Sequence, residues 1–112
     1  MLGYDAHVHE VRSGISEQDL RRISEIPYEE RTSYLGTLIS RRVAYVPYRD
    51  WVDKLLSASE DGRAQLLHDG GYPYLFHSRG EEIKLNFSTA GVSAVAPLAD
   101  DSWYLVEAWD QS

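Results

Sequence analysis

Cysteine is absent from this 112-residue chain. That excludes a disulfide framework and any thiolate metal site, and it fits a reducing compartment. Long apolar runs are missing too. Charges interrupt the hydrophobic stretches, and nothing approaches the roughly 20 residues of a membrane span. The start, Met1-Leu2-Gly3-Tyr4-Asp5, lacks the basic and apolar segments of a signal peptide, so a cytoplasmic address is expected. Positive charge is scarce: 11 Lys and Arg stand against 18 Asp and Glu, a net of −7. Direct contact with a nucleic-acid backbone needs Lys and Arg to displace counterions and is not expected. Catalytic motifs are also missing. No Gly-x-Ser-x-Gly elbow occurs, and Gly70, Gly71, Gly80 and Gly91 read as turn glycines rather than a phosphate-cradling loop. No cofactor is implied.

What is present suits one folded domain spanning residues 1–112, large enough for a core without staples. The hydrophobic fraction is 43% and the aromatic fraction 12%, which argues against general disorder. The charge is uneven. Residues 1–56 carry eight basic and nine acidic residues, a net of −1; residues 57–112 carry three and nine, a net of −6. An acidic half suits a basic partner, and it also serves plain solubility.

Hydropathy patterning gives the expected elements. Tyr4, Ala6 and Val8 alternate with Asp5, His7 and His9, the pattern of a half-exposed strand. Ser16 is a good N-cap with Asp19 three residues on, and Ile15 and Leu20 are placed for a hydrophobic staple. Leu20, Ile23 and Ile26 recur at helical spacing until Pro27 ends that helix or starts another. Tyr34, Leu35, Leu38 and Ile39 make a stripe predicting a helix over 28–42, with Glu29 and Glu30 in its first turn and Arg41 and Arg42 in its last. Residues 43–46 then read as a short extended piece. A third helix is expected from Pro47 or Tyr48, striped by Trp51, Val52, Leu55 and Leu56 and stopped by Gly62. Residues 63–68 fit a helical turn or a strand.

From Tyr72 onward the pattern has a period of two. Four strands are expected: one from Tyr72 to His77, one in which Ile83, Leu85 and Phe87 alternate with Glu82, Lys84 and Asn86, one over 92–98, and one over 103–109. In the last, Trp103, Leu105 and Trp109 share one face and Tyr104, Val106 and Ala108 the other. Two apolar faces predict a central or doubly covered strand. The expected fold class is α+β: a single domain with an antiparallel sheet of four C-terminal strands, or five with the N-terminal strand. Two or three helices from residues 17–58 pack against it.

Three clusters are candidate sites. The first is histidine-based. Asp5, His7 and His9 share a strand face, and His68 or His77 could complete a zinc-type set of imidazoles and carboxylates. The Asp5-x-His7-x-His9 string resembles the metal-binding strand of amidohydrolase-type enzymes. The resemblance covers one strand, and those enzymes need a barrel of about 250 residues, which this chain cannot hold. The bland alternative is the polar face of an edge strand. The second cluster is aromatic: Tyr45, Tyr48, Trp51, Tyr72, Tyr74, Trp103, Tyr104 and Trp109 can line a ligand cup, form a protein-binding surface or fill the core, with Tyr72, Tyr74, Trp103 and Trp109 the expected anchors for a partner. The third is acidic. Glu81, Glu82, Asp100 and Asp101 sit in expected sheet turns, where they can steer a basic partner or simply be solvated.

Two functions follow. One is a small acidic, non-catalytic module that binds a protein partner, anchored by the aromatics and steered by the acids. It is similar to toxin immunity proteins and phage-encoded inhibitors in size and charge only. The other is a metal-dependent enzyme or small-molecule binder built on His7 and His9 with His68 or His77. The first is favoured because no assembled chemistry accompanies the histidines. The partner's identity and the oligomeric state, a homodimer included, stay open at this level.

Overall fold

The structure, a computed structural model, describes residues 4–48, 51–69, 73–86 and 92–110. In chain order the elements are β1 (Tyr4–Val11), α1 (Glu17–Arg21), a 3₁₀ turn (Arg22–Glu25), α2 (Tyr28–Leu38), β2 (Ile39–Tyr48), α3 (Trp51–Glu60), β3 (Ala64–His68), β4 (Tyr74–Arg79), α4 (Gly80–Asn86), α5 (Val92–Val95) and β5 (Trp103–Asp110). The five strands form one antiparallel sheet in the order β2-β1-β5-β4-β3. The α+β architecture expected from patterning is therefore present, with β5 at the centre, as its two apolar faces require.

Local chemistry explains the helix ends. Ser16 Oγ accepts from the Asp19 amide at 3.1 Å, and Asp19 Oδ2 accepts from the Ser16 amide at 3.0 Å. This reciprocal capping box satisfies two backbone donors that the first turn leaves open. Ile15 and Leu20 both pack into the core beneath it. Pro27 precedes α2 at its N-cap position without a side-chain capping bond, and its ring holds φ at −57°. After α3, Arg63 N–H donates to Ala58 O at 2.8 Å and Gly62 N–H to Ser59 O at 3.2 Å. Gly62 has φ +82°, so glycine is needed there to close this Schellman-type end.

The sheet has two covered faces. On one, the cross-strand row Ala44–Val8–Val106–Phe76–Leu66 meets Ile83 of α4, Val95 of α5 and Leu98, with Leu56 of α3 alongside. On the other, Leu67, Leu75 and Leu105 meet Leu20, Ile23, Leu35 and Leu38 from α1, the 3₁₀ turn and α2. Phe76, Leu75 and Leu105 are fully buried, and each stabilises the fold by about 2 kcal/mol of transfer free energy.

Several expected boundaries are corrected. Residues 80–86 form helix α4, not a strand: Ile83 is fully buried while Leu85 is 62% exposed, as a helix requires of residues two apart. Phe87, the third residue of that expected face, lies outside the described residues. Val92–Val95 is a short helix rather than part of a strand. Helix α2 ends at Leu38, and Arg41 and Arg42 belong to β2, where they pair across to Glu10 and His9 of β1. The ambiguous segment 63–68 supplies β3. β1 is an interior strand flanked by β2 and β5, not the edge strand of the bland alternative for its histidines.

Candidate functional site

Trp103 opens β5 and sits opposite Arg79, the last residue of β4. The chain passes from Arg79 directly into α4. Gly80 N–H donates to Ser102 O at 2.8 Å, and Glu81 N–H donates to Asp100 O at 3.0 Å. These bonds fasten the start of α4 to the loop before β5. They gather Glu81, Glu82, Asp100, Asp101 and Trp103, five of the eight residues expected to contact a partner, at one end of the sheet. Trp103 is 43% exposed there.

The acids in this group are partly matched. Lys84 Nζ lies 2.8 Å from Asp100, Arg79 lies 3.8 Å from Glu81, and Arg63 bridges Asp61 at 3.0 Å and Glu82. Five carboxylates with Asp61 included, against three cations, leave a net of −2. The Arg63–Asp61, Arg79–Glu81 and Lys84–Asp100 pairs are solvent-accessible and each worth less than about 1 kcal/mol, so a basic partner can exchange them at low cost, whereas the Glu82 side chain is only 12% exposed and its pair with Arg63 belongs to the scaffold.

The same tryptophan borders a cleft of about 440 Å³ between α1 and the sheet. Val11, Ile15 and Leu20 form its apolar wall, and Glu17, Gln65 and His77 its polar one. The His77 ring packs against Trp103, centroids 4.8 Å apart. Gln65 Nε2 donates to Glu17 Oε1, which turns Gln65 Oε1 toward His77 Nδ1 at 3.1 Å. An amide oxygen can only accept, so His77 carries its proton on Nδ1 and presents Nε2 as an acceptor. Burial pushes the His77 pKa down, against the Glu17 charge.

A second polar cluster lies on the same sheet face across β2, β1 and β5. His9 is 6% exposed, and its Nε2–H donates to Glu107 Oε1 at 2.9 Å. Glu107 Oε2 accepts from Trp109 Nε1 at 2.6 Å. Burial raises the Glu107 pKa, but the bonds from His9 and Trp109 outweigh it and hold the carboxyl below its ordinary range. His9 Nδ1 is buried with no partner. His7 stacks on His9 with centroids 6.2 Å apart, lies 3.1 Å from Arg42 through Nδ1, and packs on Tyr45 at 5.0 Å. Tyr45 donates to Asp5 at 2.9 Å. The His7 pKa is lowered, first by burial, with Glu107 opposing and Arg42 adding.

The four candidate metal ligands are divided by this arrangement. His7 and His9 are neighbours, but His77 lies two strands away across Leu105. His68 Nδ1 bonds to Pro73 O at 2.8 Å. Among the described residues no group of three or more His, Asp or Glu side chains is placed to hold a metal ion. The aromatic anchors are divided as well. Tyr74 stacks on Phe76 beneath the opposite face, and Trp109 lies half-buried at the far end of β5. Tyr72 lies outside the described residues. Sequence reasoning missed Glu107, Glu17 and Gln65. Glu107 had a signal: one acid in the middle of an otherwise apolar central strand. Glu17 and Gln65 had none, because their partnership spans 48 residues.

Both lowered histidines make stability depend on pH. The unfolded chain binds their protons near pH 6.5, the folded chain only at lower pH. Their contribution is complete above pH 6.5 and is lost as pH falls through the folded values. Urea midpoints between pH 7 and 5 should therefore fall further for the native chain than for a His7→Asn, His77→Asn double variant. Equal pH slopes for the two chains would count against this.

Comparison with known proteins finds no match among protein-family models, curated sequences or solved structures.

Proposed function

We propose that this chain is a non-catalytic binding module that recognises a basic protein partner through the sheet end around Trp103. One observation carries the reading: a large exposed aromatic side chain begins the central strand, at the same sheet end as the exposed acids Glu81, Asp100 and Asp101 and the less accessible Glu82. Tryptophan dominates binding energy where neighbouring polar groups exclude water from it. The flanking strands and the bonds from Gly80 and Glu81 order this end in advance, which lowers the entropy lost on docking. The acidic rim speeds encounter with a positive surface. The far-end residues Tyr74 and Trp109, packed against neighbouring side chains, serve the scaffold in this reading.

The histidine-based alternative receives less support. His9 commits Nε2 to Glu107, and its other nitrogen is sealed from solvent.

The test is affinity capture from the source organism's extract at low and high salt, using the native chain, Trp103→Ala and a Glu81→Lys, Asp101→Lys variant. A partner held by the native chain at low salt, and released by either variant, supports the proposal. Capture that ignores both variants, or no capture at all, defeats it.

A further inference from the structure

The cleft beside Trp103 specifies the partner's chemistry further. We infer that it receives one arginine side chain of the basic partner, an inference that rests on the binding reading above. Its volume of about 440 Å³ lies in the range of small-ligand sites. Val11, Ile15 and Leu20 offer an apolar wall suited to an aliphatic stem. The polar atoms left available beside that wall accept hydrogen bonds. Glu17 uses Oε1 for Gln65 and Arg21, and Oε2 has no partner among the described residues. His77 uses Nδ1 for Gln65, leaving Nε2 as a lone pair.

A side chain that only donates, carries positive charge and has a flat face matches this set. Guanidinium has five N–H donors, no acceptor and a planar surface that stacks on indole. Lysine matches the charge but has no flat face to set against Trp103. The Glu17–Arg21 pair beside the opening is an exposed i,i+4 contact and is readily exchanged for a new one. Among the described residues no lysine or arginine lines the cleft to repel the incoming group. The adjoining depression is bordered by Trp103 with Glu81, Glu82, Arg63 and Arg79, whose charges balance, so the attraction for a cation comes from Glu17 in the cleft itself.

The probe is N-acetyl-arginine amide, titrated into the full ¹⁵N-labelled chain and followed by amide and indole chemical shifts. Saturable shifts are expected at the Trp103 indole N–H and the Gln65 side-chain amide. N-acetyl-citrulline amide, the neutral isostere, should bind about tenfold more weakly because the cation contributes both stacking and ion pairing. Glu17→Gln should weaken arginine binding several-fold; this exposed, isosteric change leaves the fold intact. Equal binding of arginine and citrulline, or shifts confined to other surfaces, would overturn the inference. Trp103-dependent capture of a partner together with an unresponsive cleft would remove the arginine assignment and leave the binding reading standing. Arginine binding in the cleft with no partner captured would do the reverse.

Discussion

A Glu107→Leu variant is expected to lose about 3 kcal/mol of stability, although the substitution adds apolar bulk to a central strand. The Glu107 side chain is 14% exposed and serves two donors, His9 Nε2 and Trp109 Nε1. Leucine leaves both unpaired. His9 Nδ1 already lacks a partner, so the variant buries an imidazole with no bond at either nitrogen. Each orphaned buried group costs about 1–3 kcal/mol, and the added methyl groups return only part of that. Adding His9→Leu should recover most of the loss, because apolar residues of similar volume replace a buried polar pair with little penalty. The two substitutions are in contact and must not add. Chemical denaturation of the native chain, both single variants and the double variant supplies the cycle. Independent, additive losses would show that the pair does not act as a unit. The native chain should also lose stability in acid as pH falls below about 4.5 toward the lowered Glu107 value, and Glu107→Leu should remove that component.

Gly80→Ala is expected to cost about 3 kcal/mol, a fall in melting temperature of roughly 10 °C. The backbone of Gly80 has no positive φ, so conformational freedom is not the reason. Space is the reason. A Cβ at Gly80 would collide with the Ala99 carbonyl and come within 3.2 Å of the Tyr104 ring. Both belong to well-tied structure: Tyr104 is buried, and its hydroxyl accepts from the Ala99 amide at 3.0 Å. Neither can withdraw without breaking the bonds that join α4 to the loop before β5. The variant should therefore weaken partner capture through Trp103 more than an equally destabilising change remote from this end, such as Leu35→Ala on α2. A melting temperature within 2 °C of the native value, a shift of well under 1 kcal/mol, would show that the loop yields freely.

The two variants probe features that differed in legibility. Alternation over Tyr4–Val11 assigned β1 and placed Asp5, His7 and His9 on one face, as found. It could not show that β1 is interior, because that depends on β2, a segment whose Ile39 also completed a helical stripe with Leu35 and Leu38. The segment 82–86 shows the limit most clearly. Five residues of alternation fit a strand, while Glu81 and Glu82 followed by Lys84 fit the charge order of a helix dipole. The two periods part at Leu85, which a strand places on the same face as Ile83 and a helix on the opposite side. Ile83 buried against the sheet core and Leu85 turned to solvent decide for the helix. The acids around Trp103 were legible as a charged set, but their partial neutralisation by Arg63, Arg79 and Lys84 was not.

Taken alone, the order of amino acids determined what short-range physics can settle: the capped start of α1, the glycine-closed end of α3, the two faces of β1 and the doubly covered nature of β5. Each rests on interactions within a few residues or on a period sustained over a whole strand. Tertiary structure alone decided the strand order, the helical state of residues 80–86, the joining of His9 to Glu107 across 98 residues, and the cleft that brings Glu17, Gln65, His77 and Trp103 together. Those outcomes depend on which distant surfaces meet, and burial and hydrogen-bond satisfaction over the whole core select among local options of nearly equal free energy.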